Sequence, residues 1–183
     1  MGKIFNSLDE KHIEFIKKQK MFFVATSNDS GHINLSPKGL DSFRVLNNNL
    51  VVWLNYTGSG NETAAHLEKS SRMTIMFCAF EGEPLIMRLY GQARAIHEWD
   101  FDWPIFSNHF IELHGARQII ELDIEMLQTS CGYGFPLYDY KGDRDDLKKW
   151  LDNKSEDQIK EYWFEKNMKS IDGELTGMQN LPS

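Results

Sequence analysis

Cysteine is nearly absent. Cys78 and Cys131 are the only two in 183 residues, which excludes a disulfide framework, and their separation matches no metal-ligand spacing. Reduced thiols are expected. Positive charge is also in short supply: 20 Lys and Arg against 27 Asp and Glu leave a net charge of −7. No basic block or arginine-rich face occurs, so a nucleic-acid partner has no electrostatic basis. Long apolar runs are missing as well. Nothing approaches the length of a membrane span, and the opening MGKIFNSLDEKHIEFIKK holds no apolar stretch suited to a secretion signal. No membrane association and a cytoplasmic location are the expectation. There is no internal repeat and no low-complexity segment. His109 and His114 lie five apart in a stretch that reads as helical, off a common face, and no metal site is expected.

What is present is apolar and aromatic content, 41% and 13% of the chain, enough for a sizeable core in one domain. The opening Ser7-Leu8-Asp9-Glu10 has the pattern of a capping box, and Ile13, Phe15 and Ile16 among charges predict an amphipathic helix after it. Short β-prone runs follow at 21–26 and 32–36, joined by a turn at Asn28-Asp29-Ser30-Gly31 as a hairpin. Pro37-Lys38-Gly39 interrupts the sheet, which resumes at 43–46 and again at 51–54 after Asn47-Asn48-Asn49. Runs 73–80 and 85–96 flank the turn Glu81-Gly82-Glu83-Pro84 as a second hairpin. Residues 99–113 read as helical, with Pro104 near a start or kink. Ile120, Leu122, Ile124 and Met126 alternate with Glu121, Asp123 and Glu125, the period of a half-buried strand. Charged helical patterns at 143–151 and 155–169 come before a polar tail expected to be loose, their charges forming a solvated face. The order predicts a mainly β fold with flanking helices, a small barrel of about six antiparallel strands. Residues 1–135 would form the barrel and 136–183 a helical extension and tail packed on the same domain.

One stretch carries chemistry. Val51-Val52-Trp53-Leu54 leads into Tyr56-Thr57-Gly58-Ser59-Gly60 and then a short helix after Asn61. Gly58 and Gly60 allow close approach of backbone N–H groups, Asn61 suits an N-cap, and Thr57, Ser59 and Thr63 add hydroxyls. That combination suits an anion, most simply phosphate. The same residues also suit a ligand-free β-to-α turn, and spacing by itself leaves both open. His66 reads as a partly exposed structural histidine, Cys131 as an inert thiol. Trp99, Phe101, Trp103, Phe106 and Phe110 can fill a core or dimer seam, or stack on a planar ligand.

The order of several motifs points further: the N-terminal helix and hairpin, Ser36-Pro37-Lys38-Gly39 before a strand, Tyr56-Thr57, Gly60-Asn61 at a helix start, and Leu89-Tyr90-Gly91-Gln92-Ala93. In this order the chain resembles the pyridoxamine 5′-phosphate oxidase-like, FMN-binding split-barrel proteins over residues 7–133. The resemblance implies a homodimer with FMN in a cleft between subunits, its phosphate held by Tyr56, Thr57, Asn61 and Thr63. The cofactor-binding set it gives is Ser36, Lys38, Tyr56, Thr57, Gly58, Gly60, Asn61, Thr63 and Arg88; no catalytic residue is assigned. The chain departs from the oxidases proper, which carry an Arg-Lys pair at the helix start where this one has Glu62-Thr63. Glu62 should then turn outward, and the compensating charge should come from Lys38, Arg44 or Arg88, with Lys38 the first choice. Ile86 replaces a polar flavin-facing residue, and the C-terminal arginine and histidine pattern for substrate has no match, so a divergent member is expected. The resemblance implies a flavin-dependent oxidoreductase of unknown substrate, with a nicotinamide as possible reductant. The other class is a non-enzymatic flavin- or haem-binding module for sensing, storage or scavenging.

Overall fold

The computed structural model describes residues 2–111 and 113–181. Its spine is β8 (Ala116–Ser130), longer than the predicted run: Ile120, Leu122 and Ile124 are buried while Asp123 and Glu125 face water, and the alternation then changes phase at a bulge, so that Leu127 is buried and Met126 only half-buried. On one side β8 pairs along its length with β7 (Ile86–His97). On the other it pairs first with β5 (Leu50–Tyr56) and near its end with β1 (Lys3–Phe5). Adding β2 (Phe22–Thr26), β3 (Asn34–Lys38), β4 (Phe43–Asn47) and β6 (Arg72–Cys78) gives one eight-stranded sheet in the order β3-β2-β6-β7-β8-β5-β4, with β1 beside β8. Every ladder is antiparallel, as hairpin-length connections require.

The sheet curls until its ends face one another. Phe22 of β2 meets Phe43 of β4 at 4.9 Å between ring centroids, and Phe43 meets Phe77 of β6 at 5.2 Å, although β4 and β2 stand near opposite ends of the strand order. These rings join Val24, Val51, Trp53, Ile75, Leu89, Ile120 and Leu122 in the main core. Helix α1 (Glu10–Lys18) closes one end of it with Ile16. The sheet does not close between β3 and the β4–β5 pair, and that split holds the site described below. This is the mainly β, split-barrel architecture expected, with eight strands rather than about six. Part of the excess is β1, too short for periodicity to reveal it.

Several boundaries moved for identifiable reasons. The cap of α1 is Asp9, not Ser7: its side chain accepts from the His12 N–H at 2.9 Å, and His12 Nδ1 accepts from the Asp9 N–H in return. Pro37 and Lys38 do not interrupt the sheet. They lie within β3, an edge strand, where proline's missing N–H costs no ladder bond. The predicted helix over 99–113 shrinks to α3 (Trp103–Ser107); Glu112 lies outside the described residues. Of the aromatics over 99–113, Phe106 and Phe110 are buried and pack with Leu54 and Ile119, whereas Phe101 is 94% exposed. The charged patterns near the C-terminus are α4 (Asp146–Asp152) and α5 (Glu156–Lys166). The segment after them is not loose. Thr176 and Met178 are fully buried, and Met178 packs with Leu151, Ile159 and Trp163.

Candidate functional site

Edge strand β3 is built inside out. Asn34, Ser36 and Lys38 turn toward the split, while Leu35 and the preceding Ile33 face solvent at 65% and 79% exposure. A polar face toward the barrel and an apolar face toward water reverse the ordinary pattern of an edge strand. Across the split, β5 runs out at Tyr56 and the chain turns through Thr57, Gly58, Ser59 and Gly60 into α2 (Glu62–Leu67). Together these elements enclose a cleft of about 740 Å³, a size suited to a small-molecule ligand.

The loop from Thr57 to Glu62 is fixed mainly from outside itself. Thr57 donates its hydroxyl proton to the Gly115 carbonyl at 2.8 Å and accepts from Trp163 Nε1 at 2.7 Å. Asn167 Nδ2 donates to the Gly58 carbonyl at 3.0 Å. The Glu62 carboxylate accepts from the Ile171 N–H, each oxygen at 3.1 Å, so its charge is engaged by the C-terminal segment while the residue still lines the cleft. Two sequence expectations need correction here. Asn61 stands at the N-cap position of α2 but makes no side-chain capping bond, and α2 has only six residues, so its end offers little dipole to an anion. Thr57 cannot donate to a ligand, because its proton is spent on Gly115.

The positive charge comes from side chains. Lys38 Nζ donates to Asn55 Oδ1 at 3.2 Å and lies 4.8 Å from the Trp53 ring centroid. Burial, and secondarily the Arg117 guanidinium, pull its pKa down to about 8. Arg117, at the start of β8, is 3% exposed and donates from Nη1 to the Gly60 carbonyl at 2.8 Å. Burial lowers it to about 10, so it stays charged at neutral pH. Among the described residues neither cation forms an ion pair, and Arg117 Nε and Asn61 Nδ2 are buried without a hydrogen-bond partner. A buried charge left unpaired is costly, and its usual resolution is a ligand of opposite sign. Behind the cleft, Asn34 Nδ2 donates to Thr63 Oγ1 at 3.0 Å and to Thr26 Oγ1 at 3.2 Å, and Thr26 pairs with His66 Nδ1 at 3.0 Å. His66 is thus a buried structural histidine, not a partly exposed one.

Ser36, Lys38, Tyr56, Thr57, Gly58, Gly60, Asn61 and Thr63 all line this one cleft. Arg88 does not: it lies on β7, its Nη1 3.4 Å from Ser130 Oγ. Arg44, the other alternative for charge, is engaged with Asp41 and the His109 carbonyl. Asn55 and Arg117 are cleft residues that the sequence reading passed over. No local signal marks Arg117: it is in phase with Glu121, Asp123 and Glu125 on the strand face that alternation assigns to water, and only at the start of β8 is that face covered.

Among the described residues no three His, Cys, Asp or Glu side chains are grouped to hold a metal, and no helix is long and apolar enough to cross a membrane. The family model for pyridoxamine 5′-phosphate oxidase matches residues 8–131. A pyridoxamine 5′-phosphate oxidase family protein of Aspergillus flavus, ustO, is 37% identical across 96% of this chain and 78% of its own length. HupZ of Group A Streptococcus aligns with a TM-score of 0.52 at 19% identity, covering 65% of this chain and 91% of that one. A candidate pyridoxamine 5′-phosphate oxidase of Lactobacillus delbrueckii gives 0.52 at 19%, over 67% and 94%. At such identities the structures speak for the fold alone. The matched span, which runs from the core residue Leu8 through β8, and the extent of the A. flavus similarity show that the chain belongs to the pyridoxamine 5′-phosphate oxidase family.

Proposed function

We propose that the protein binds FMN in the split of its barrel and works as a flavin-dependent oxidoreductase, as a homodimer in the cytoplasm. The observation that carries this reading is the convergence of Ser36, Lys38 and the Tyr56–Thr63 stretch on one cleft that holds buried cations without a carboxylate on them. The residues fit the cofactor. The orphaned Asn61 Nδ2 is a donor awaiting an acceptor, glycines at 58 and 60 leave the loop unobstructed, and the Glu62 carboxylate is engaged by the Ile171 N–H. Bound FMN would supply the hydride and electron transfer; the chain supplies position, charge and a water-poor wall. A groove of about 820 Å³ along α1, with Phe15, Phe80 and Tyr138 in its lining, shares Lys20, Met21 and Tyr140 with the cleft and offers a way in for a second reactant. The exposed apolar side of β3 favours a partner subunit lying over it. Cys78 and Cys131, both free thiols, suit a reducing compartment.

The absorbance spectrum of the purified protein tests the cofactor. Flavin bands that bleach under anaerobic NADH or NADPH, with FMN released on denaturation, are the expected result. A haem Soret band without flavin would replace this reading with that of a haem-binding module.

A further inference from the structure

We infer that Arg117 and Lys38 together form a seat for a phosphomonoester dianion, and that Arg117, not the start of α2, supplies the charge that Glu62-Thr63 lacks. The inference rests on the FMN reading for the identity of the ligand but not for the existence of the seat. Two cations, half-buried Lys38 on β3 and buried Arg117 on β8, come from opposite sides of the split and line the one cleft, and the Arg117 guanidinium adds to the lowering of the Lys38 ammonium. Like charges sharing a site disfavour each other's charged form, and an anion between them relieves that cost. Among the described residues no carboxylate of the cleft lining pairs with these cations: Glu62 accepts from the Ile171 N–H, and neither Asp143 nor Asp146 bridges to Lys38 or Arg117. The guanidinium is aimed inward. Nη1 is anchored on the Gly60 carbonyl, Nη2 would lie 3.7 Å from a Cβ placed on Gly58, and Nε is buried with its proton unused. An arginine anchored through Nη1 and left with an unpartnered Nε retains donors for a phosphate oxygen. Asn61 Nδ2, also buried and unpartnered, adds a neutral donor beside it. The dianion matches the two cations in charge, so the seat favours a monoester over a neutral alcohol of the same skeleton.

The test compares FMN, riboflavin and inorganic phosphate on wild type, Arg117→Met and Lys38→Met at constant ionic strength. Wild type should bind FMN at least about 100-fold more tightly than riboflavin, and each variant should lose about 10- to 100-fold for FMN with riboflavin unchanged. Phosphate should raise the melting temperature of wild type and of neither variant. Ligand-free Arg117→Met should melt no lower than wild type, because it removes an uncompensated buried charge; a merely structural arginine would lower it. Should that variant not fold, Arg117→Gln, which can keep a donor on the Gly60 carbonyl, is read by the same criteria. FMN affinity unchanged in the Arg117 variant, or phosphate protection persisting there, overturns the seat. Phosphate protection that needs both cations, with no flavin bound by wild type, upholds the seat and removes FMN. Flavin binding with no preference for FMN over riboflavin does the reverse.

Discussion

Lys38 shows how far a single residue could be read. Its position after Ser36-Pro37 marked it as the first choice for the phosphate, and it does reach into the split, held by Asn55 at 3.2 Å. Lys38→Ala should weaken FMN by ~1.5–3 kcal/mol, the worth of a charge-assisted hydrogen bond; equal affinities by titration would take the lysine out of the site. Its pH behaviour follows from burial. The ligand-free folded state holds the ammonium at about 8 against an ordinary 10.5, so between those values the folded protein binds fewer protons than the unfolded chain. Stability of the ligand-free protein therefore rises across that window, and the cost of the buried charge is fully present below about 8. Anion binding has the opposite slope: FMN affinity should fall as pH rises through about 8, and the Lys38→Ala titration should be flat there. Thr57 marks the limit of reading residues singly. Its hydroxyl looked available, and only the fold shows it between Gly115 and Trp163.

At the level of elements, long strands were legible and their irregularities were not. Gly91 sits where the β7–β8 register shifts, and a Cβ there would fall 1.9 Å from the Asp123 carbonyl oxygen. Since backbone cannot yield as a side chain does, Gly91→Ala should destabilise by more than about 2 kcal/mol in denaturant unfolding. A melt equal to wild type would mean the bulge can relocate. Helix α5 was visible as a charged helical pattern over 155–169, yet its task was not. It presents Trp163 to Thr57, 106 positions earlier in the chain, so Trp163→Phe should cost about 1 kcal/mol through the lost bond and loosen the Thr57–Gly60 loop. Faster amide exchange at Gly58 to Gly60 without a change in β8 would be the signature; an unaltered loop would show that Asn167 and Gly115 suffice to hold it.

For the molecule as a whole, the inverted β3 carries the prediction of assembly. Leu35→Glu, placed on an exposed apolar face, should leave a ligand-free monomer folded but shift a dimer toward monomer in sedimentation and lower FMN affinity with it. Wild type found monomeric at micromolar concentration while binding FMN tightly would contradict a shared cleft. The sequence by itself determined the class of fold, because period-two burial, hairpin turns and the absence of βαβ spacing act within a few residues of one another. It also pointed to the loop and the lysine that line the cleft, which lie in local patterns at 36–39 and 56–63. The tertiary structure decided the rest: that the sheet stays open between β3 and β4–β5, that the C-terminal segment grips the Gly58–Glu62 stretch through Asn167 and Ile171, and that Arg117 lines the same cleft as Lys38. Those are pairings between residues tens of positions apart, fixed by how a twisted sheet curls to bury Phe22, Phe43 and Phe77 together, and no local periodicity encodes the distance across a split.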